Sequence, residues 1–193
     1  VVSKVLQQFR AQFPNVQVDL RASFTRELQE GLSRGEFDLI LTTEEGLMPT
    51  GETISRAKMS WTGAENGIIW RQRPLKLGFS RRCMFRPLVQ KVLDREGIAW
   101  EMALETDSDR TIEASIGADL AVCVVIEGTE PPHMVPIHHG GALPDLPESL
   151  INMYGAEQAQ SQIVSALAEL LRQGYADLKS GARVGGSVLR EVG

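Results

Sequence analysis

Two helix starts in the middle of the chain carry side chains suited to holding a small polar ligand. The first start has Cys83, Phe85 and Arg86, and the second has Thr106 and Ser108. A helix start offers unpaired backbone N–H groups and a partial positive charge, which together favour a bound anion. The hydroxyls and the guanidinium add donors, and the phenyl ring adds an apolar wall. This chemistry predicts a site for a small carboxylate or an aromatic acid.

A run of alternating strands and helices positions these two starts. Residues 79–126 predict strand, helix, strand, helix, strand, in which Trp100, Met102 and Leu104 alternate with polar residues as in a half-buried strand. Pro87 fits the first turn of a helix, where its missing N–H is not needed. Parallel strands bring their carboxyl ends to one edge of the sheet, so we expect the two helix starts to lie side by side.

The N-terminal part predicts helix, strand, helix, strand. An apolar stripe at helical spacing covers residues 2–13, and an alternating pattern at 16–20 predicts a half-buried strand. Thr25 predicts an N-cap, and the apolar run 37–41 predicts a buried strand that ends in a polar turn. A parallel α/β unit normally begins with a strand, because each helix crosses back over the sheet. We therefore expect a further strand ahead of Val1.

The remaining stretches have weaker patterns. Residues 47–56 carry Gly and Pro and predict a loop, whereas 57–63 predict a strand. Short strands are expected at 134–137 and 150–154. A strong amphipathic helix, with Ala159, Ile163, Leu167 and Leu170 on one face, is expected to end near Gly174.

The composition excludes several classes of protein. The 193 residues are 42% hydrophobic and 23% charged, which is ordinary for a globular protein with a real core. The net charge is −5 with scattered basic residues, which argues against a nucleic-acid surface. No stretch approaches the roughly 18 consecutive apolar residues of a membrane span. Because Cys83 and Cys123 have no CxxC spacing and no signal segment is visible, we expect a cytoplasmic protein without a membrane partner.

Several blocks together resemble one family. They are FPNVQVDL, GEFDLILT, RPLKLGFSRRCMFRPLVQKVLDREGIAWE, ETDSDRTIEASIGADLAVCVV and SQIVSALAELLRQ. In this order they resemble the effector-binding domain of LysR-type transcriptional regulators, over roughly residues 1–172. The resemblance implies an α/β fold of the periplasmic-binding-protein type 2 kind. Two Rossmann-like subdomains would be joined by two crossover strands, with the ligand cleft between them.

The resemblance also implies a division of the chain and a set of partners. The first subdomain would be 1–62 plus 149–177, without its first strand, the second would be 63–148, and 178–193 would be a C-terminal tail. Effector contacts would fall at Thr25 and at 83–85. The domain would form a homodimer or tetramer, with the first helix of one copy near helix 87–96 of the other. DNA would be bound only through an N-terminal winged helix-turn-helix that this sequence lacks.

The candidate ligand-binding residues are those at the carboxyl ends of the predicted strands, where doubly wound sheets hold ligands. They are Ser23, Thr25, Thr42, Thr43, Cys83, Phe85, Arg86, Thr106, Ser108 and Val125. Four of them have a simpler alternative. Thr25 and Ser108 would serve only as N-caps, Arg86 would form a surface ion pair, and Cys83 would line the site without sensing oxidants.

The sequence predicts a sensor and not an enzyme. No Ser–His–Asp order, nucleophile elbow, P-loop or HExxH motif is present, so we expect no catalytic set and no cofactor. The three histidines at 133, 138 and 139 lack a flanking Cys or carboxylate cluster, which favours solvated loop residues over a metal site. The alternative function is a two-lobed solute-binding protein for transport.

Overall fold

The computed structural model of the protein describes residues 1–155 and 161–184, with side chains for 1–155 and 161–177. Its contacts divide the chain into two compact units. Unit 1 contains Val1–Thr42, Gly46–Ser55 and the described residues from Leu150 onward, and unit 2 contains Thr43–Glu45 and Arg56–Ser149. Residues 56–62 therefore lie in unit 2, whereas the sequence analysis places them in the first subdomain.

The fold mixes helices and strands, as predicted. The helices are α1 (Val2–Gln12), α2 (Thr25–Ser33), α3 (Phe85–Arg95), α4 (Asp109–Gly117) and α5 (Gln162–Val184), with a short 3-10 helix at Ile69–Arg71. The strands are β1 (Leu39–Glu44), β2 (Gly51–Ala57), β3 (Met59–Ala64), β4 (Leu75–Phe79), β5 (Trp100–Glu105), β6 (Cys123–Ile126), β7 (Met134–Pro136) and β8 (Ser149–Gly155).

Unit 1 combines a sheet of order β1-β8-β2 with the helix pair α1 and α5. The predicted stripe of α1 is confirmed, since Val5 and Phe9 are only 1% and 2% exposed and belong to one core cluster with Leu171 of α5. Burial of this apolar stripe is worth several kcal/mol and accounts for its spacing. The stripe is therefore satisfied within its own unit and does not require a second copy of the chain.

Helix α5 continues past the predicted stop. The predicted end near Gly174 is wrong, because the helix runs to Val184. A Cβ at Gly174 would lie 2.8 Å from Val5 Cγ2, so this glycine provides a notch for α1 and does not end the helix. The tail expected at 178–193 is helical up to Val184, while Ala159 and 185–193 lie outside the described residues. No helix in the described part of the chain is long and apolar enough to cross a membrane.

The strand predicted at 16–20 does not form among the described residues. This segment follows α1 as extended chain, and Val18 and Leu20 are 40% and 68% exposed. A groove of about 250 Å³, lined by 16–19 on one side and 36–39 on the other, runs between the segment and the start of β1. The predicted alternation of burial is wrong, because Val16 is half-buried and all of 17–20 are exposed. A strand also needs a neighbouring chain to complete its hydrogen bonds.

Unit 2 follows the sequence prediction more closely. Strand β4 pairs in parallel with β5, with Phe79 opposite Glu105, and Leu77 forms a parallel bridge to Val122. Strand β3 lies antiparallel between β6 and β7. The core includes Leu75 and Leu93, both 0% exposed. The predicted order of strand, helix, strand, helix, strand is confirmed, and the carboxyl ends of β4 and β5 meet at one edge.

Three strands differ most from the sequence prediction. Strand β1 continues through Thr42 and Thr43, which were expected in a turn, because β-branched residues suit an extended chain. Strand β2 forms within the predicted loop 47–56. Strand β6 begins at Cys123 and not at Leu120, whose side chain is 61% exposed.

Candidate functional site

The loops that follow β4 and β5 are tied together at the carboxyl edge of unit 2. Ser80, which is 3% exposed, donates a hydrogen bond from Oγ to Asp107 Oδ1 at 3.1 Å. The backbone N–H of Arg82 donates to Ser80 Oγ at 3.2 Å, and that of Cys83 donates to the Ser80 carbonyl at 3.2 Å. The edge is therefore organised by a buried hydroxyl that the sequence analysis did not single out. The sequence contained an indication of this role, because Ser80 is a polar residue directly after β4.

Phe85 and Cys83 line the start of α3. Both are half-buried and pack against the core of unit 2. Burial raises the pKa of the Cys83 thiol, although hydrogen bonds from the backbone N–H groups of Phe85 and Arg86 oppose the shift. Burial also raises the pKa of Cys123 to about 12. Both thiols stay protonated at neutral pH, which favours packing and lining roles over oxidant sensing.

Arg86 forms an ion pair, which was the simpler alternative to ligand binding. Its Nη2 lies 2.5 Å from Glu105 Oε2, and Arg81 Nε donates to Glu105 Oε1 at 2.6 Å. One carboxylate at the end of β5 therefore bridges two guanidinium groups. The Arg86 and Glu105 side chains are only 24% and 28% exposed, so this pair is more sheltered than an ordinary surface pair.

The start of α4 is a capped turn. Ser108 is the N-cap, and its Oγ accepts hydrogen bonds from the backbone N–H of Thr111 at 3.4 Å and from Thr111 Oγ1 at 3.0 Å. The backbone N–H of Ser108 donates to Thr106 Oγ1 at 3.2 Å. Of the two caps that the sequence allows, Ser108 and Asp109, the structure has Ser108. Val125 is half-buried in β6, opposite Ser60 of β3.

The remaining candidates lie at the start of α2 and inside β1, where Thr42 belongs to unit 1 and Thr43 to unit 2. Ser23 is exposed and donates to a Glu27 carboxylate oxygen. Thr25 is 8% exposed and is the first residue of α2, so the prediction that it is the N-cap is wrong; that position belongs to Phe24. Thr42 is 3% exposed and Thr43 is half-buried, both within the strand.

The structure thus brings Cys83, Phe85, Arg86, Thr106 and Ser108 to one edge. Ser80, Glu105 and Asp107 lie at the same edge and were not among the predicted candidates. A ligand-binding role for the ten candidates stays a prediction. Within the described residues, no group of three or more His, Cys, Asp or Glu side chains is placed to hold a metal ion. His139 Nδ1 instead accepts a hydrogen bond from the backbone N–H of Leu143 at 3.3 Å.

The family model of the LysR substrate binding domain matches residues 1–176. The chain belongs to the LysR substrate-binding domain family. This assignment confirms the resemblance, and it does not favour the solute-transport alternative. No curated protein sequence matches this LysR substrate-binding domain significantly.

Solved structures share the fold of this LysR substrate-binding domain. The effector binding domain of QuiR in complex with shikimate has a TM-score of 0.71 and 13% identity, covering 92% of this chain and 91% of that chain. The CcmR regulatory domain from Synechocystis, in complex with 2-PG, has a TM-score of 0.72 and 13% identity over 92% of each chain. HinK, a LysR family transcriptional regulator from Pseudomonas aeruginosa, has a TM-score of 0.68 and 17% identity, over 92% of this chain and 66% of its own.

Proposed function

We propose that the chain is the small-molecule effector-sensing domain of a cytoplasmic LysR-type transcriptional regulator, without catalytic activity. The family match over residues 1–176 carries this proposal. The effector is a small carboxylate or an aromatic acid. Two structures of the same fold support this class, since QuiR holds shikimate and CcmR holds 2-phosphoglycolate, both of which are acids.

In this proposal the effector is held by residues at the polar ends of strands. The partial positive charge at the start of α3 attracts its acid group, and the Phe85 ring packs on its carbon skeleton. Thr25 contributes a hydroxyl, with Ser23, Thr42 and Thr43 as further donors. The Ser80–Asp107 hydrogen bond supports the unit 2 part of this site, because it fixes the loop that leads into α3.

The effector acts by binding one arrangement of the regulator more tightly than another. A ligand with equal affinity for both arrangements would shift nothing, however tightly it bound. The domain works as a homodimer or tetramer, and the winged helix-turn-helix of the full-length regulator contacts the DNA. The structure of full-length CbnR complexed with its target DNA supports this division of labour.

Effector binding is tested by thermal shift and isothermal calorimetry with a panel of acids that includes shikimate and 2-phosphoglycolate. We expect Phe85→Ala to weaken the affinity for the best acid about tenfold, because an apolar wall of this size is worth about 1–2 kcal/mol. Thr25→Val keeps the shape and removes one hydroxyl, so we expect about a fivefold loss.

Thr129→Val is the matched control for the threonine substitution, because Thr129 lies in an exposed loop and donates only to the nearby Ile126 carbonyl among the hydrogen bonds described. It should leave the affinity unchanged. If Thr25→Val and Phe85→Ala both bind the acid normally, the site assignment fails. If no acid in the panel binds the wild type, the effector class is wrong.

A further inference from the structure

The Glu105 carboxylate occupies a position in which the acid group of a ligand would also bind. Its two carboxylate oxygens accept from different cations, with Arg81 Nε at 2.6 Å from Oε1 and Arg86 Nη2 at 2.5 Å from Oε2. The arginines come from different elements, one from the loop after β4 and the other from the first turn of α3. A carboxylate held between two converging guanidinium groups has the geometry by which proteins bind carboxylates and phosphates.

The charges at this edge leave room for one more anion. Glu105 supplies one negative charge against the two positive charges of Arg81 and Arg86. The neighbouring acid, Asp107, is engaged elsewhere, by the Ser80 hydroxyl at 3.1 Å and by Arg82 Nη2 at 3.7 Å. The arginine pair with its single carboxylate therefore carries one net positive charge close to the start of α3, and Asp109 at the start of α4 adds a negative charge near Cys83.

Glu105 is also able to leave this position without unfolding the sheet. It is the last residue of β5, and 28% of its side-chain surface is exposed, so its carboxylate can rotate towards water while the strand stays paired to β4. A second ion pair on the same two strands differs in its charge balance. Lys76 pairs with Glu101 directly across β4 and β5, where one cation meets one anion and the charges cancel.

We propose that Glu105 is an internal competitor, which occupies an anion subsite formed by Arg81 and Arg86 and is displaced by an incoming carboxylate or phosphate. This inference rests on the proposed function in so far as the incoming anion is the acid group of the effector. Glu105 then sets specificity. An anion that contacts only the two arginines fails to displace the Glu105 carboxylate. An acid that also packs on the Phe85 ring succeeds.

The test uses inorganic phosphate as the probe and measures Tm and calorimetric affinity at constant ionic strength, with chloride as the balancing anion. In Glu105→Gln the two guanidinium groups lose their carboxylate, so we expect phosphate to bind about tenfold more tightly than to wild type and to raise Tm by several degrees. Glu101→Gln, the matched control on the same two strands, should respond to phosphate like wild type. Adding Arg86→Gln to Glu105→Gln should abolish the gain.

Glu105→Asp keeps the charge on a shorter side chain that cannot span both arginines, and it serves if the glutamine variant is poorly folded. It should show an intermediate response to phosphate. A phosphate response of Glu105→Gln or Glu105→Asp no greater than that of Glu101→Gln would overturn the proposal. Because the probe is phosphate and not the effector, this result is independent of whether an effector is found, and its failure would leave the Thr25 and Phe85 test intact.

Discussion

Replacing Gly51 by alanine is expected to lower the free energy of unfolding by about 3 kcal/mol, at the upper end of the range for overpacked cores. A Cβ at this position would lie 2.0 Å from Tyr154 Cε1 and 2.4 Å from Cδ1, well inside van der Waals contact. The ring has little freedom to move, because Tyr154 is 1% exposed. Its hydroxyl also accepts hydrogen bonds from the backbone N–H of Met48 and from Asn152 Nδ2, both at 3.2 Å.

Urea unfolding followed by circular dichroism measures the effect, and Gly46→Ala is the matched control. A Cβ at Gly46 would meet nothing within 4 Å, and its carbonyl would still accept from Asn152 Nδ2. We expect this control to change stability by no more than about 0.5 kcal/mol. Similar losses in the free energy of unfolding for the two variants would show that the Tyr154 ring moves to accommodate the new Cβ. The close approach of Gly51 to Tyr154 would then not contribute to stability.

The helices and strands of unit 2 were predictable because their signals are local. The alternation of Trp100, Met102 and Leu104 alone predicts which face of β5 is buried, and the half-buried pattern in the structure follows it. Ser108 lies just before an apolar helical pattern, and it caps the helix there. Each of these features depends on residues within one or two turns of the chain, so no knowledge of the tertiary fold was needed.

Features that depend on distant partners could not be predicted. Gly174 fits a helix stop and a helix notch equally well, and only the position of Val5 on α1 decides between them. Strand β2 has no alternation of apolar and polar residues that would predict it. Polar contacts with residues distant in the sequence stabilise it. Glu52 pairs with Arg172 of α5 at 2.6 Å, and Thr53 Oγ1 donates to Asn152 Oδ1 at 2.8 Å.

The candidate site shows the same limit. The sequence predicted that the two helix starts of unit 2 would share one edge, and the parallel register of β4 and β5 confirms it. It left open whether Arg86 binds a ligand or forms an ion pair. The answer depends on Glu105, which lies far along the chain and reaches Arg86 only because Phe79 and Glu105 are register partners. A sheet register is a long-range property, so residue types alone did not identify this partner.

A second large effect is expected at Asn152, whose side chain is fully buried at 0% exposure. Its Nδ2 donates to the Gly46 carbonyl at 2.7 Å and to the Tyr154 hydroxyl at 3.2 Å, and its Oδ1 accepts from Thr53 Oγ1 at 2.8 Å. Asn152→Ala removes all three hydrogen bonds, each worth about 1 kcal/mol, and leaves a small cavity. We expect a loss of about 3–4 kcal/mol in the free energy of unfolding.

Urea unfolding again gives the measurement, and Asn15→Ala, at an exposed turn, should stay within about 0.5 kcal/mol of wild type.

A double-mutant cycle separates the network from simple packing. Tyr154→Phe removes the hydroxyl that Asn152 contacts and keeps the ring against Gly51. If the two side chains stabilise the fold through their shared hydrogen bond, the double variant loses less stability than the sum of the single losses, by about 1 kcal/mol. Strict additivity would mean that each side chain acts alone. The segment from Gly46 to Met48 would then be held to β8 by two independent anchors, and the Met48 amide would exchange at the wild-type rate in Asn152→Ala.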